Sequence, residues 1–309
     1  MRAISQDVLG GPEVLKLVEV DRPEPGPSEV LVRVHAAGVN PTDWWHRESG
    51  GLLSDVPVPL GWDLSGVVEE VGLGVTAFSP GDEVYGMPNL PRPAGTYAEY
   101  VVSPTRHLAR KPSNLSHVEA AALPVAALTA WQALADTAVV REGQRVLVHA
   151  AAGGVGHLAV QIAKARGAHV IGTARAAKHD FVRALGADEV IDYTRDDFAE
   201  ILDGVDVVID AIGGEYGPRS LRTLRPGGLV VSLASSAEVQ LAPQAEALGL
   251  RALFLIVEPD HAGLREIASL VEAGRLRPHV ETVLPLEDVI KAHQLGQSGR
   301  TTGKIVLTL

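Results

Sequence analysis

The stretch that decides the fold is Val146-Leu147-Val148-His149-Ala150-Ala151-Ala152-Gly153-Gly154-Val155-Gly156. Its apolar residues predict a strand over 145–150, the glycines predict a tight turn, and the residues that follow predict a helix over 154–166. Gly167 ends that helix. In a parallel sheet, such a turn points the first backbone N–H groups of the helix at a bound phosphate group.

The glycines of this turn have separate roles. Gly153 lets the backbone approach a phosphate, and Gly156 lets the helix pack on the strand. Ala151 stands where the usual G-x-G-x-x-G pattern has its first glycine, which weakens the motif. A helix–strand corner without a ligand is the alternative, but the flanking strand, helix and following strand favour a dinucleotide site. Its predicted contacts are Ala151, Gly153, Gly154, Val155 and Gly156.

The next strand indicates which dinucleotide is bound. It ends Ile171-Gly172-Thr173-Ala174-Arg175-Ala176-Ala177-Lys178. Enzymes that use NAD usually carry an acidic residue here, about 20 residues past the glycines, for the ribose 2′-hydroxyl. This chain has no acid before Asp180, and it offers Arg175 and Lys178, which suit a 2′-phosphate. We therefore predict NADPH rather than NADH, with Thr173 also at the cofactor; the alternative is that the two cations only solvate a helix start.

The rest of the chain divides into two patterns. Short strands with Gly and Pro turns dominate before about residue 115 and predict a small β-barrel. Strands and helices then alternate, which predicts a parallel sheet with helices on both faces. The last strand, 304–309, is expected to return to the barrel. We predict an α/β protein with a barrel domain over 1–119, completed by 262–309, and a doubly wound domain over 120–261.

Composition and charge argue against several kinds of partner and of catalytic chemistry. The 309 residues carry a formal net charge of −11 and no cysteine. The negative charge argues against nucleic acid, and the missing cysteine excludes thiolate catalysis and cysteine-ligated metals. No run of about 18 apolar residues predicts a membrane span, and the N-terminal residues lack the apolar core of a secretory signal. We expect a cytoplasmic protein without membrane or nucleic-acid partners.

Ordered blocks along nearly the whole chain resemble one superfamily, the medium-chain dehydrogenases/reductases. The resemblance is closest to the zinc-free quinone oxidoreductase, or ζ-crystallin-like, branch. The blocks that carry it are Gly38-Val39-Asn40-Pro41-Thr42-Asp43, Gly61-Trp62-Asp63-Leu64-Ser65-Gly66, Gly81-Asp82-Glu83-Val84, Gly95-Thr96-Tyr97-Ala98-Glu99-Tyr100, Leu123–Ala130, Ala151–Gly156, Leu185-Gly186-Ala187-Asp188, Val190-Ile191-Asp192-Tyr193 and Gly303-Lys304-Ile305.

The resemblance implies a GroES-like barrel domain and a Rossmann domain with a cleft between them. By similarity, Asn40 lies beside the nicotinamide and ribose, and Thr129 hydrogen-bonds the cofactor. The resemblance also implies that Tyr193, Lys178 and Arg300 hold the adenosine phosphate, and that Phe254 and Leu255 offer backbone groups to the carboxamide. Zinc-using relatives have a cysteine near the position of Asn40, so a zinc-dependent dehydrogenase is not expected.

Three side chains near Asn40 are candidates at the reacting end. Trp45 is predicted to form a flat wall for a planar acceptor, since adjacent Trp44 and Trp45 on a strand would point in opposite directions. The alternative is that both pack in the barrel core or on a surface. Asp43 is a candidate for orienting Asn40 or the substrate, although capping of a helix after Pro41 is favoured. His46 is a conceivable proton donor that is more simply structural.

These patterns together predict an NADPH-dependent reductase of a quinone-type acceptor that needs no metal. An enoyl or alkenal reductase that acts on activated C=C bonds is the alternative within enzymes, and a non-catalytic NADPH-binding protein is the alternative outside them. The apolar run 251–257 is expected to be an exposed sheet edge. Such an edge favours pairing with a second copy, so we predict a homodimer.

Overall fold

The computed structural model describes residues 1–51, 59–234 and 240–309. The chain forms two compact units, one of Met1–Leu128 with Glu258–Leu309 and one of Thr129–Val257. The predicted domain boundaries at 119/120 and 261/262 stay predictions. None of the helices in the described residues is long and apolar enough to cross a membrane.

The strands are numbered in chain order. They run β1 Arg2–Ser5, β2 Lys16–Glu19, β3 Glu29–Val39, β4 Leu64–Val71, β5 Glu83–Gly86, β6 Tyr100–Pro104, β7 Leu108–Arg110, β8 Arg145–Val148, β9 His169–Thr173, β10 Glu189–Ile191, β11 Val205–Asp210, β12 Leu224–Ser232, β13 Arg251–Phe254, β14 Val280–Pro285 and β15 Lys304–Thr308.

The α-helices are numbered in the same way. They run α1 Pro41–Ser49, α2 His117–Ala121, α3 Pro124–Trp131, α4 Gly156–Ala165, α5 His179–Ala184, α6 Phe198–Ile201, α7 Tyr216–Leu221, α8 Leu241–Ala247, α9 His261–Glu272 and α10 Val289–Gln297. Short 3₁₀ turns over Pro12–Val14, Thr105–His107, Ala176–Lys178 and Leu286–Asp288, and a π-helical turn over Gln132–Thr137, connect them.

The first unit is built around the long strand β3. It pairs with β4, β6 and β15, all antiparallel. Its residues Val30, Val32 and Val34 lie in one apolar core, because alternate side chains of a strand point to the same face. The closing strand β15 pairs with β3 in a register that places Val306 opposite Gly38, so the predicted return of the chain end to this sheet is confirmed.

The second unit is a six-stranded parallel sheet in the order β10-β9-β8-β11-β12-β13. Numbered within the unit, that order is 3-2-1-4-5-6, the doubly wound arrangement that binds dinucleotides where the strand order reverses. The reversal falls at β8, the strand that leads into the glycine turn. The predicted fold class is therefore confirmed, and β13 lies at an edge of the sheet as expected.

Two local predictions were wrong. The Ala- and Leu-rich residues 120–136 predict one continuous helix, but the structure interrupts it between α2 and α3, because Pro124 lacks an N–H and disfavours helical backbone in the residue before it. Trp44 and Trp45 lie on helix α1 rather than on a strand. The alternation argument for their side chains therefore does not apply.

Candidate functional site

The glycine turn, residues 149–156, joins β8 to α4 with little free space. Ala150 takes a left-handed conformation, with φ 50°. A Cβ added to Gly156 would lie 2.1 Å from the carbonyl oxygen of Ala150, so a side chain at this position would push the helix off the strand. The structure thus brings the helix start against the strand end, as the predicted role of Gly156 requires.

Ala151 fits the position of the missing first glycine because the neighbouring strand leaves room for it. Its side chain is fully buried, and its N–H donates to the carbonyl oxygen of Thr173 at 3.0 Å. A Cβ added to Gly172 would lie 2.8 Å from the Cβ of Ala151. Gly172 therefore compensates, on the adjacent strand, for the extra methyl group of Ala151.

The glycine turn also presents free backbone donors. Within the described parts of the chain, the N–H groups of Ala152, Gly154 and Val155 have no protein acceptor. These groups precede a ten-residue helix, whose N-terminus carries partial positive charge. Free N–H groups, a glycine at the close approach and a helix N-terminus are the features that a pyrophosphate needs. The turn therefore fits a dinucleotide.

The first residue of the turn is a buried histidine that the sequence analysis missed. His149 is fully buried, and its ring nitrogens lie 3.2 Å from Thr173 Oγ1 and 3.0 Å from Ser220 Oγ. Burial, assisted by the charge of Arg219, lowers the pKa of His149 to about 3, so the ring is neutral. Thr173 Oγ1 also accepts the N–H of Ala150 at 3.3 Å. Thr173, a predicted cofactor contact, is fully buried and supports the turn from behind.

Arg175 and Tyr193, both predicted at the adenosine phosphate, meet beyond β9. The Nε of Arg175 donates to the hydroxyl oxygen of Tyr193 at 3.0 Å. Lys178 closes the 3₁₀ turn that follows Arg175, with its N–H donating to the carbonyl oxygen of Arg175 at 2.8 Å. Asp180 faces solvent, where its carboxylate contacts Arg183 at 3.3 Å. The segment after β9 thus carries the cations Arg175 and Lys178, and Asp180, the first acidic residue after that strand, faces solvent.

The other predicted cofactor contacts lie apart along the chain. Phe254 ends β13, and Leu255 donates its N–H to the carbonyl oxygen of Ser232 at 2.9 Å. Thr129 lies on α3 and is 8% exposed. Arg300 follows α10 in the first unit and is exposed. The structure does not by itself place these residues at one ligand.

In the first unit, Asn40 stands at the junction of β3 and α1. It is the N-cap residue of the helix and is 2% exposed. Its side-chain Nδ2 donates to Asp63 Oδ2 at 2.8 Å, and its Oδ1 accepts a hydrogen bond from Lys304 Nζ. Asn40, Asp63 and Lys304, which we call the amide triad, join three separate segments of the chain.

Asp43 caps the same helix from its third position. Its Oδ2 accepts the N–H of Asn40 at 2.6 Å and the hydroxyl of Tyr97 at 2.8 Å. Asp43 is fully buried, and this burial is the main cause that raises its pKa to about 7. The favoured interpretation of Asp43 as a helix cap agrees with these contacts, and the carboxylate meets the backbone of Asn40 rather than its side chain.

A second buried cluster lies beside Asp43. The guanidinium of Arg47 contacts His293 Nδ1 at 2.7 Å, and the His293 ring packs edge-on against Tyr97 and Trp44. Since arginine only donates, Nδ1 accepts and Nε2 carries the proton. Burial, followed by the charge of Arg47, lowers the pKa of His293 to about 3. No local sequence signal reveals this contact, because the two residues are 246 positions apart.

The two tryptophans of α1 have different surroundings. Trp44 packs against α10, where a Cβ on Gly296 would lie 2.6 Å from its ring. Trp45 is 44% exposed, with its ring edge-on to His46. His46 Nδ1 lies 2.7 Å from the carbonyl oxygen of Thr42, and its ring packs against Trp62. Of the three, Trp45 is the side chain available to a ligand.

The described residues contain no group of three or more His, Asp or Glu side chains that could hold a metal ion. The sequence as a whole has no cysteine. The expected lack of a metal site stays a prediction.

Comparison with known proteins identifies the family. Residues 26–113 match the alcohol dehydrogenase GroES-like domain, and residues 185–307 match a zinc-binding dehydrogenase domain. The chain is 35% identical to the 2-methylene-furan-3-one reductase of Solanum lycopersicum, over 99% of this chain and 79% of that protein.

Two solved structures of quinone oxidoreductases are similar to this chain over its whole length. The quinone oxidoreductase from Coxiella burnetii has a TM-score of 0.95 and 38% identity, covering 100% of this chain and 99% of that one. The Escherichia coli quinone oxidoreductase complexed with NADPH has a TM-score of 0.89 and 30% identity, with both chains covered completely.

The chain therefore belongs to the medium-chain dehydrogenase/reductase superfamily and is an oxidoreductase. Within that superfamily it falls in the zinc-independent quinone oxidoreductase branch, as the resemblance of the sequence blocks implied.

The buried carboxyl of Asp43 gives a testable pH dependence. Its pKa is raised from 3.8 to about 7, so between these values the folded protein holds a proton that the unfolded chain releases. The free energy of unfolding therefore decreases as the pH rises from about 4 to about 7. This group accounts for up to about 4 kcal/mol of the decrease. Urea unfolding across this range should show a steeper decline for wild type than for Asp43→Asn.

The matched control is Asp180→Asn, since Asp180 faces solvent on α5. This variant should retain the pH slope of the wild type. Equal slopes for wild type and Asp43→Asn would contradict a raised pKa at Asp43.

Proposed function

We propose that this protein is a zinc-independent oxidoreductase that uses NADPH to reduce a quinone-type acceptor. The glycine turn carries the proposal, with its free N–H groups at the start of α4 and with Arg175 beyond the adjacent strand. These groups supply donors for a pyrophosphate and a cation for a 2′-phosphate. The relative whose structure contains NADPH supports the choice of cofactor.

The residues that would hold NADPH follow from these contacts. The backbone from Ala151 to Gly156 would bind the pyrophosphate, and Arg175, Lys178 and Tyr193 would bind the adenosine phosphate. Thr129, Phe254, Leu255 and Arg300 stay predicted contacts, and Thr173 acts by supporting the turn. When bound, NADPH supplies the hydride.

The first unit would hold the acceptor near Asn40. Asn40 offers a hydrogen-bonding amide at the start of α1, and Trp45 offers an exposed aromatic face on the same helix. A planar acceptor can stack on such a face. Asp43 holds the helix start through the N–H of Asn40, and so it acts on the site through position rather than by contact.

A quinone can be reduced without a proton donor beside its ring. Its reduced oxygens are stabilised anions that take up protons from water, so no strong acid has to lie beside the ring. The neutral histidines His149 and His293 have low pKa values, about 3 for each, and are poor proton donors at neutral pH. The site chemistry therefore agrees with hydride transfer as the main task of the protein.

Reduction of an activated C=C bond is the second candidate. The relative from Solanum lycopersicum is named for a 2-methylene-furan-3-one, which is an enone. Such an acceptor takes its hydride on carbon and then needs one proton at the α-carbon, which water can supply. A non-catalytic NADPH-binding role is the third candidate, and turnover of any acceptor would remove it.

The acceptor is tested by NADPH oxidation at 340 nm, with a simple quinone and an α,β-unsaturated ketone side by side. We expect faster turnover of the quinone, and Trp45→Ala should raise its KM by about 10-fold because a stacking contact is lost. Trp131→Phe, a change on α3, serves as the control. Turnover of the enone alone would overturn the quinone assignment, and an unchanged KM in Trp45→Ala would remove the role of Trp45.

The cofactor preference is tested by the double variant Arg175→Ala/Lys178→Ala. Loss of two charged donors should raise the KM for NADPH by about 10- to 100-fold and leave the KM for NADH nearly unchanged. Arg195→Ala, which removes another exposed arginine of the same unit, is the matched control. A similar rise for both cofactors would refute selection by these cations.

The predicted homodimer also belongs to this proposal. Strand β13 lies at the edge of the parallel sheet, and Ile256 just beyond it is 44% exposed. An apolar edge strand can pair with the same strand of a second copy. Light scattering at micromolar concentration should give twice the monomer mass, and a monomeric mass would contradict the dimer. The predicted cytoplasmic location stays a prediction.

A further inference from the structure

We propose that Lys304 and Asp63 are positioning residues that fix the side-chain amide of Asn40 in one orientation, with its NH₂ group as the donor toward a bound ligand. The inference deepens the proposed function and rests on it, because it takes Asn40 to lie at the reacting end of the site. Neither residue touches a ligand in this account.

The chemistry of the two partners decides the orientation of the amide. An ammonium group only donates hydrogen bonds, and an ionised carboxylate only accepts them. Lys304 Nζ contacts Asn40 Oδ1, and Asp63 Oδ2 receives Asn40 Nδ2 at 2.8 Å. The opposite orientation of the amide would place its NH₂ against the ammonium and its oxygen against the carboxylate. The two charges therefore select a single orientation.

The selecting groups are themselves held in place. Lys304 is 2% exposed and also donates to the carbonyl oxygen of Val39 at 3.0 Å and to Asp63 Oδ2 at 3.3 Å. Asp63 is fully buried, and its Oδ1 accepts the N–H of Val125 at 2.6 Å. Buried charges held by several partners do not reorient freely. The orientation of Asn40 is thus fixed before any ligand arrives.

The close approach of Asp63 to β3 requires a glycine at position 38. A Cβ added to Gly38 would lie 2.4 Å from Asp63 Oδ2 and 2.4 Å from the carbonyl oxygen of Ala121. Gly38 therefore lets the carboxylate approach β3 closely enough to reach Asn40. The amide triad depends on β3, β4, β15 and the start of α3.

The consequence concerns which ligand atoms Asn40 can bind. Its Oδ1 and one N–H of Nδ2 are occupied by Lys304 and Asp63. The second N–H of Nδ2 has no hydrogen-bond partner among the described residues. Asn40 therefore presents its remaining N–H to a hydrogen-bond acceptor, such as an oxygen atom of the cofactor or substrate.

The first experiment is a double-mutant cycle on kcat/KM for the quinone, with Lys304→Met, Asn40→Ala and the double variant. If Lys304 acts through Asn40, Lys304→Met lowers kcat/KM by about 10-fold or more, and it adds almost nothing in the Asn40→Ala background. Lys304→Arg keeps a charged donor and should recover part of the activity. Fully additive effects of the two single changes would overturn the proposal, since a merely structural lysine predicts them.

Loss of a buried partner can prevent folding, so a charge-neutral variant accompanies the cycle. Lys304→Met/Asp63→Asn leaves no unpaired buried charge and keeps an acceptor for the N–H of Val125. It should fold and show the same loss of kcat/KM as Lys304→Met. Near wild-type kcat/KM in this folded variant would overturn the proposal.

A readout without turnover completes the test. In a ¹⁵N–¹H spectrum, the Asn40 side-chain pair is identified as the signal missing in Asn40→Ala. We expect two separate, slowly exchanging protons in wild type and rapid exchange in Lys304→Met/Asp63→Asn. Rapid exchange already in wild type would contradict a fixed amide. A wild type with a fixed amide that turns over no acceptor would instead contradict the proposed function alone.

Discussion

The buried ion pair between Lys304 and Asp63 is the interaction on which the first unit depends. Two charged groups almost without exposure are tolerated only when each has several partners, and removal of one partner from such a pair costs about 3–5 kcal/mol. Here the partners come from β3, the start of α3 and Asn40. The pair thus ties the last strand of the chain to the residue at the start of α1.

In the second unit, uncharged contacts hold the glycine turn in place. The glycine turn lies directly on β8, because Gly156 and Gly172 leave no space that a side chain could fill. His149 stays neutral and joins Thr173 to Ser220 behind the turn. The backbone N–H groups of the turn are therefore rigidly supported while they remain free to bind an anion. A pyrophosphate needs such a surface, since its charge is met by fixed dipoles rather than by flexible side chains.

In both units, the residues that hold the site in place differ from the groups that would contact a ligand. Asp43, Asp63 and Lys304 hold Asn40 from within the protein, and Thr173 and His149 hold the glycine turn. Among the described residues, the groups proposed to meet a ligand are backbone N–H groups of the glycine turn, the cations after β9, the amide of Asn40 and the exposed face of Trp45. A reductase whose cofactor carries the chemistry requires mainly this kind of positioning.

The sequence by itself determined the parallel sheet, because strands and helices alternate along the chain. It also determined the glycine turn and the pair of cations after the next strand, because these depend on local spacing. It also identified the return of the closing strand. Only the tertiary structure decided that Trp44 packs against α10 while Trp45 stays exposed, and that Lys304 contacts Asn40 from 264 positions away. It likewise decided the pairing of Arg47 with His293. Such contacts arise where strands and helices distant in sequence pack together, and hydrophobic periodicity contains no information about which polar residues will then share a buried site.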